Sequence, residues 1–324
     1  MDEAVAAVRQ PWVQDVTRDA VRHFAWGVGD NNPLWLDPEH AQRSCWKGIL
    51  APPCFAYAVH ETTVAPGFDD RPRIYASVDW QWFDVIRLDA QLVAAAQLVD
   101  TYSNTDAVTQ TGTVEFRNGC AALLARATTT CLRPNKRLDS IGGAPNRRYG
   151  DDELAAIERA ILSESRRGAQ IRRWENTAPG ERLGTLTKGP LSIMDIVAWC
   201  AGALGVPALD APVSAGGLVD EAATGPQVTA WFAHLITDWA GDDAFLHRLQ
   251  LTFARQPGLG STTLLAGEIV DRWMLDGLCV VQLHLTATSQ DDETLASGTA
   301  LVALASTEHG AVSLPINTTI DSRS

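Results

Sequence analysis

Positive charge is scarce in this sequence. Lys and Arg number 26 against 39 Asp and Glu, for a net charge of −13. Such an acid excess argues against nucleic acid or an anionic membrane surface as the main partner. No apolar run reaches the ~18 residues that a membrane-spanning helix needs. The opening Met-Asp-Glu-Ala has none of the features of a secretory signal, so a cytoplasmic protein is expected. The cysteines, Cys45, Cys54, Cys120, Cys131, Cys200 and Cys279, never fall into a CxxC or other ligand-like spacing. Reduced and mostly buried thiols are the expectation. There is also no phosphate-binding glycine loop and no Ser-His-Asp pattern. No metal and no redox cofactor is therefore expected.

What is present is core material. Apolar residues make up 46% of 324 positions, enough for two domains or one domain doubled. The pattern supports doubling. "TRDAVRHFAWGVG" reads as a helix with Thr17 as its N-cap, and "DPEHAQRS" as a short helix capped by Asp37 with Pro38 at its first position. "LAPPCFAYAVHETTV" is apolar over a helical length and predicts a buried helix. Then the period changes: "YASVDWQWF", "AQLVAAAQLVDTYS", "AVTQTGTVEFR" and "AALLARATTTCL" alternate or are rich in β-branched residues. The order of elements recurs. "LSIMDIVAWCAGALG" takes the place of the first helix and "GPQVTAWFAHLITDWAG" that of the buried one. "LQLTFARQPGLGSTTLLAGEIVDRW", "LCVVQLHLTATS" and "TLASGTALVAL" take the place of the strands.

These repeats divide the chain into an N-terminal unit over 1–132, a linker with an amphipathic helix over 133–179, a C-terminal unit over 180–312 and a tail over 313–324. The two sheets are expected to pair edge to edge, with buried helices at 52–62 and 225–238. The basic residues of the linker, Arg133, Lys136, Arg137, Arg147 and Arg148, read either as a solvated surface or as a contact for CoA phosphates or an acidic carrier protein.

The stretch "GDNNPLWLDPEHA" is the most specific feature. Asp30, Asn31, Asn32 and Pro33 stand between two helices, where Asp and Asn also serve simply to shape turns. Together with "APPCF" and "VDWQWF", this stretch resembles the MaoC-like (R)-specific enoyl hydratase and dehydratase family, in its double hot-dog, FAS1-like dehydratase form. The family motif runs Asp, any residue, Asn, Pro, an aliphatic residue, His, any residue, Asp. Here it reads Asp30 to Asp37, with Trp35 in place of the histidine.

The resemblance implies an α+β fold of two hot-dog units, each a long helix wrapped by an antiparallel sheet. It implies hydration or dehydration of an enoyl or 3-hydroxyacyl thioester, carried by CoA or an acyl carrier protein. It makes Asp30 the base, Asn32 its orienting partner, and the backbone around Gly48 and Ala51 the oxyanion site. Trp35, Gly48, Ala51 and Tyr57 would contact substrate. Indole donates one N–H and does not titrate, so Trp35 removes one proton-handling group. It serves as core filling or as a pocket wall.

In the second unit, Gly205 falls where Asp30 sits in the first, which predicts a wall rather than a second site. His23 and His60 are candidates for a relocated acid. His40 reads as a surface or helix-packing residue, and Asp79 as a strand-pairing one. Two other readings stay open. One is an isomerase or cyclase whose aromatic walls would be Trp26, Trp35, Trp80 and Trp82. The other is a non-catalytic acyl-binding protein. Pairing of two chains is a further possibility.

Overall fold

The computed structural model describes residues 14–68, 73–135, 148–204, 224–317, 320 and 322. Gly205, with the whole 205–223 stretch, and Lys136, Arg137 and Arg147 of the linker lie outside the described residues.

The first unit begins with α1 (Arg18–Val28), α2 (Pro33–Leu36) and α3 (Pro38–Arg43). Four strands follow: β1 (Ile74–Trp82), β2 (Leu92–Ser103), β3 (Ala107–Asn118) and β4 (Leu123–Pro134). Helix α4 (Asp151–Leu162) connects the halves. The second unit holds β5 (Arg182–Lys188), α5 (Ile193–Trp199), α6 (Gly225–Ala240), β6 (Phe245–Phe253), β7 (Thr263–Leu275), β8 (Leu278–Ser289) and β9 (Thr294–Leu304). Among the described residues, nine strands form one antiparallel sheet in the order β2-β3-β4-β1-β6-β9-β8-β7-β5. The fold is α+β, a double hot-dog.

The halves join where β1 pairs with β6, from Ser77 opposite Thr252 to Gln81 opposite Arg248. Asp79 clamps this seam. Its two carboxylate oxygens accept from Arg248 Nε at 2.9 Å and Nη2 at 2.7 Å, and Gln250 Nε2 adds a third bond at 3.2 Å. Fork-to-carboxylate pairing of this kind fixes geometry as well as energy, and it explains an acid in the middle of an apolar strand.

The two units are not equal at their centres. In the second, α6 is long and buried almost throughout, with Thr224 as its N-cap. In the first, the helix expected over 52–62 is only a 3₁₀ segment, Pro53–Ala58. Two local causes account for the difference. Pro52 and Pro53 bring no N–H groups. Thr62 sits at φ 65°, with its N–H bonded to His60 Nδ1 at 2.9 Å, and β-branched Thr62, Thr63 and Val64 disfavour another helical turn.

Helices α1 and α5 are matching elements of the two units, and they meet through glycines. A Cβ at Gly27 would lie 2.8 Å from the carbonyl oxygen of Ala198. A Cβ at Gly202, in the π-helical turn after α5, would lie 2.5 Å from that of His23. Close approach of backbone requires glycine there. It brings the Asp30 end of α1 against the second unit.

Candidate active site

The acid of the motif is placed by the end of α1. Thr17 Oγ1 caps the start, accepting from Ala20 N at 3.1 Å. Gly29 ends the helix in the left-handed region at φ 70°, and Asp30 N–H returns to Ala25 O at 2.8 Å. Asn32 then caps α2: its Oδ1 accepts from Leu34 N at 2.9 Å, and Pro33 supplies the first helical position. The turn-shaping and site-building roles of this stretch coexist.

Asp30 is buried and bonded at both oxygens. Oδ1 accepts the Asn32 N–H at 3.0 Å, and Oδ2 accepts the indole N–H of Trp35 at 2.8 Å. Trp35 thus faces the acid, as a donor that cannot lose its proton.

An imidazole nevertheless reaches Asp30, from the other unit. His234, on α6, places Nε2 3.6 Å from Asp30 Oδ1, 3.4 Å from Glu164 Oε1 and 3.2 Å from Asp238 Oδ2. Arg166 gathers the same acids. Its Nε meets Asp238 Oδ1 at 2.7 Å, its Nη2 meets Glu164 at 3.0 Å and lies 3.6 Å from Asp30, and its Nη1 donates to Asn31 O at 3.2 Å. Lys188, at the end of β5, bonds the carbonyl oxygens of Val28 and Gly29 at 3.1 and 3.0 Å and stands 3.0 Å from His234 Nδ1. Asp30, Glu164 and Asp238 are therefore set against Arg166, Lys188 and His234.

The Lys188–His234 contact has two complete proton placements. An ammonium at Lys188 donates to both carbonyls and to a neutral imidazole, which then carries its proton on Nε2. Alternatively, an amine keeps its two carbonyl bonds and accepts from Nδ1–H of an imidazolium. No hydrogen bond is lost between them. Burial pushes the Lys188 ammonium below its ordinary range, against the pull of Asp30, Glu164 and Asp238. Burial, the largest influence, pulls His234 down, as does Lys188, yet the Asp30 charge together with the contacts to Asp238 and Glu164 leaves the imidazole above its usual 6.5. Glu164 is pushed up by burial but held below the usual carboxylate range by His234, Lys188 and Arg166.

The sign of the His234 shift sets a stability test. A folded-state pKa above the unfolded one adds stability that is full below about 6.5 and lost as pH rises through the folded value. His234→Gln is expected to destabilise more in mildly acid than in alkaline buffer, read as the difference in thermal midpoint from wild type at each pH. An equal or larger cost in alkaline buffer would contradict the charged-imidazole assignment.

Beside this cluster lies a cavity of about 60 Å³ between the two units. Asn32, Trp35 and Ala51 of the motif region line it, with Trp46, Trp82 and Asp242. Tyr57 does not line it. Its hydroxyl is buried, accepting from Trp80 Nε1 at 2.8 Å and sharing a bond with Tyr75 at 2.9 Å, within a knot that includes Thr62 and Thr129. Gly48 does not line the cavity either, though open space surrounds the position its Cβ would take. Two N–H groups of the expected oxyanion segment are already engaged, Ala51 with Ile86 O at 2.8 Å and Leu50 with Leu34 O at 3.4 Å.

Of the expected aromatic walls, Trp35 and Trp82 face the cavity, while Trp80 is buried behind Trp82 in a 5.3 Å stack. Trp26 is 53% exposed, with the Arg22 guanidinium over its ring, and is no wall. Of the histidines expected as candidates for a relocated acid, His23 is exposed on α1, and His60 accepts from Thr62 N through Nδ1. His40 is more than a surface residue: its Nε2 meets Asp242 Oδ2 across the seam at 2.6 Å. The signal for His234 was present in the sequence. His234 and Asp238 lie four residues apart on one face of the otherwise apolar "TAWFAHLITDWA", a spacing that brings polar side chains together.

Asp30, His234 and Asp238 also stand close enough for their ligand atoms to share a cation. Arg166 already sets positive charge against Asp30 and Asp238.

Residues 4–126 match a family described as "FAS1-like, dehydratase domain region". Curated relatives include a UPF0336 protein of Streptomyces avermitilis, 42% identical over 45 residues, 14% of this chain and 30% of the relative. Another, from Thermobifida fusca, is 41% identical over 49 residues, 15% of this chain and 32% of the relative. The chain spans about a third of the length of the curated relatives it matches.

Among solved structures, a MaoC-like dehydratase superposes with a TM-score of 0.67 at 16% identity, over 92% of this chain and 96% of that one. A MaoC domain protein dehydratase from Chloroflexus aurantiacus gives 0.55 at 9% identity, over 90% and 92%. The peroxisomal multifunctional enzyme type 2 of Drosophila melanogaster gives 0.54 at 12%, over 89% of this chain and 47% of that enzyme. At these identities the likeness is one of fold.

Proposed function

We propose that this chain, a FAS1-like dehydratase region extended into the double hot-dog fold of the MaoC-like dehydratases, is a hydro-lyase acting on a 3-hydroxyacyl or enoyl thioester. The observation that carries the reading is His234. The proton-handling group missing at Trp35 is supplied by the buried helix of the other unit, within 3.6 Å of Asp30. Adding water across a conjugated C=C needs a base for the water, a proton source for C2 and dipoles facing the developing enolate oxygen. Asp30 is the candidate base. His234, poised between two proton placements by Lys188, is the candidate proton carrier. Asn32 holds the turn and lines the adjoining cavity, where the acyl group would lie against Trp35 and Ala51. The thioester oxygen would approach from the open side at Gly48.

CoA and an acyl carrier protein both suit a thioester substrate. Exposed Val93, Val99 and Tyr102 on edge strand β2 support the pairing of two chains.

One observation favours a second reading. Both oxygens of Asp30 already hold protein donors, as they would in a site kept for binding alone. Turnover separates the two. Purified protein given crotonyl-CoA, and in parallel longer enoyl-CoAs, should consume at least one of them, read as loss of the conjugated thioester absorbance. Saturable binding with no consumption of any thioester would favour the non-catalytic reading.

A further inference from the structure

The proposed reaction uses Asp30 and His234 and leaves a second buried acid unexplained. Asp242 follows α6, and its side chain is 2% exposed. Oδ2 is held by His40 Nε2 at 2.6 Å, and the Asp242 carbonyl accepts the Trp46 indole N–H at 2.6 Å. Among the described residues, Oδ1 has no hydrogen-bond partner. Asp242 lines the cavity between the units, whose other walls are mainly apolar and aromatic. The other acid in that lining, Asp84, turns Oδ1 to its neighbour's backbone, accepting from Val85 N at 2.7 Å.

We infer that this cavity is a recognition subsite for an apolar chain bearing a hydroxyl group, which donates its proton to Asp242 Oδ1. Three observations converge on that chemistry. A bare methylene against Oδ1 would leave a buried carboxylate oxygen unpaired, which is costly. His40 already serves the other oxygen, so a single hydroxyl donor completes the acid. A void of about 60 Å³ suits the end of a chain and not a large ring system. In the terms of the proposed function, the substrate is an acyl group oxygenated away from its reacting carbons. This step rests on that reading for the placement of the acyl chain, but its test uses no thioester.

The test compares two isomers, hexan-1-ol and methyl pentyl ether, which match in size and differ in whether they can donate. Each is titrated into protein labelled with ¹⁵N-tryptophan. The reporter is the Trp46 indole signal, assigned through Trp46→Phe, because that N–H bonds Asp242 itself. The alcohol is expected to bind about tenfold more tightly than the ether, as a hydrogen bond to a charged acceptor requires. Asp242→Leu should abolish the difference. Should that variant fail to fold, Asp242→Asn keeps the shape and should narrow the preference. Equal binding of the isomers, absence of alcohol binding to the wild-type protein, or a preference that survives in folded Asp242→Leu would each overturn the inference. Failure here with intact enoyl turnover would remove the subsite alone. Success here without turnover would remove the hydro-lyase reading alone.

Discussion

Asp30→Asn is expected to destabilise the protein by about 3–5 kcal/mol, the usual cost of removing one partner from a buried ionic arrangement. The carboxylate now accepts two short bonds, from Asn32 N on one oxygen and Trp35 Nε1 on the other. A carboxamide has one oxygen and an NH₂ group, so one of those buried donors would meet another donor. The lost charge matters as well. Arg166 and His234, each 3.6 Å from Oδ1, would keep only Glu164 and Asp238 as acidic partners. Chemical denaturation of the variant measures the loss. The control is Asp37→Asn, at an exposed cap whose Oδ1 accepts from Glu39 N at 2.9 Å. That change should cost little, because asparagine caps helices about as well. If Asp30→Asn unfolded no more easily than Asp37→Asn, the charge cluster would not be a structural unit, and Asp30 would be merely a turn residue.

How much of this was legible in the sequence depends on the length scale of the interaction. The capped helices at Thr17 and Asp37, the alternating strands and the doubling are local or periodic signals, and they read directly. The edge-to-edge sheet was legible too, because two half-barrels with free edges gain by pairing. The 3₁₀ segment over Pro53–Ala58 was not. Its composition is that of a buried helix, and the Pro-Pro start and the turn at Thr62 stop it.

The site divides the same way. Asp30 and Asn32 belong to a contiguous motif. Lys188, His234 and Asp238 reach their neighbourhood only through the fold, from positions more than 150 residues away along the chain. Nothing in "GDNNPLW" indicates them. The polar pair inside α6 was the one available signal, and it is visible only when a single acid and histidine on a buried helix are asked what they face. His40 shows the converse: a polar residue beside an exposed cap reads as surface until a partner from the second unit covers it.

That cross-unit supply of the imidazole leads to the largest expected effect on chemistry. If His234 carries the proton, His234→Gln should lower turnover of the thioester that the wild-type protein consumes by about 10²–10⁴-fold, the usual worth of a general acid or base. Glutamine retains a polar side chain on α6 but cannot titrate, so binding should change less than rate, and the loss should fall on kcat more than on KM. Lys188→Met separates carrying the proton from positioning the carrier. It removes the donor at 3.0 Å from Nδ1 and leaves the ring free to take either tautomer. It also removes a positive neighbour that holds the imidazole down, so His234 should titrate still higher. The activity remaining in Lys188→Met should therefore shift its basic-limb pH dependence upward, whereas His234→Gln should lose that limb altogether. A His234→Gln protein that kept wild-type kcat and its pH profile would show that the imidazole beside Asp30 is part of a structural ion cluster. The chemistry, if any, would then have to be carried by Asp30 alone.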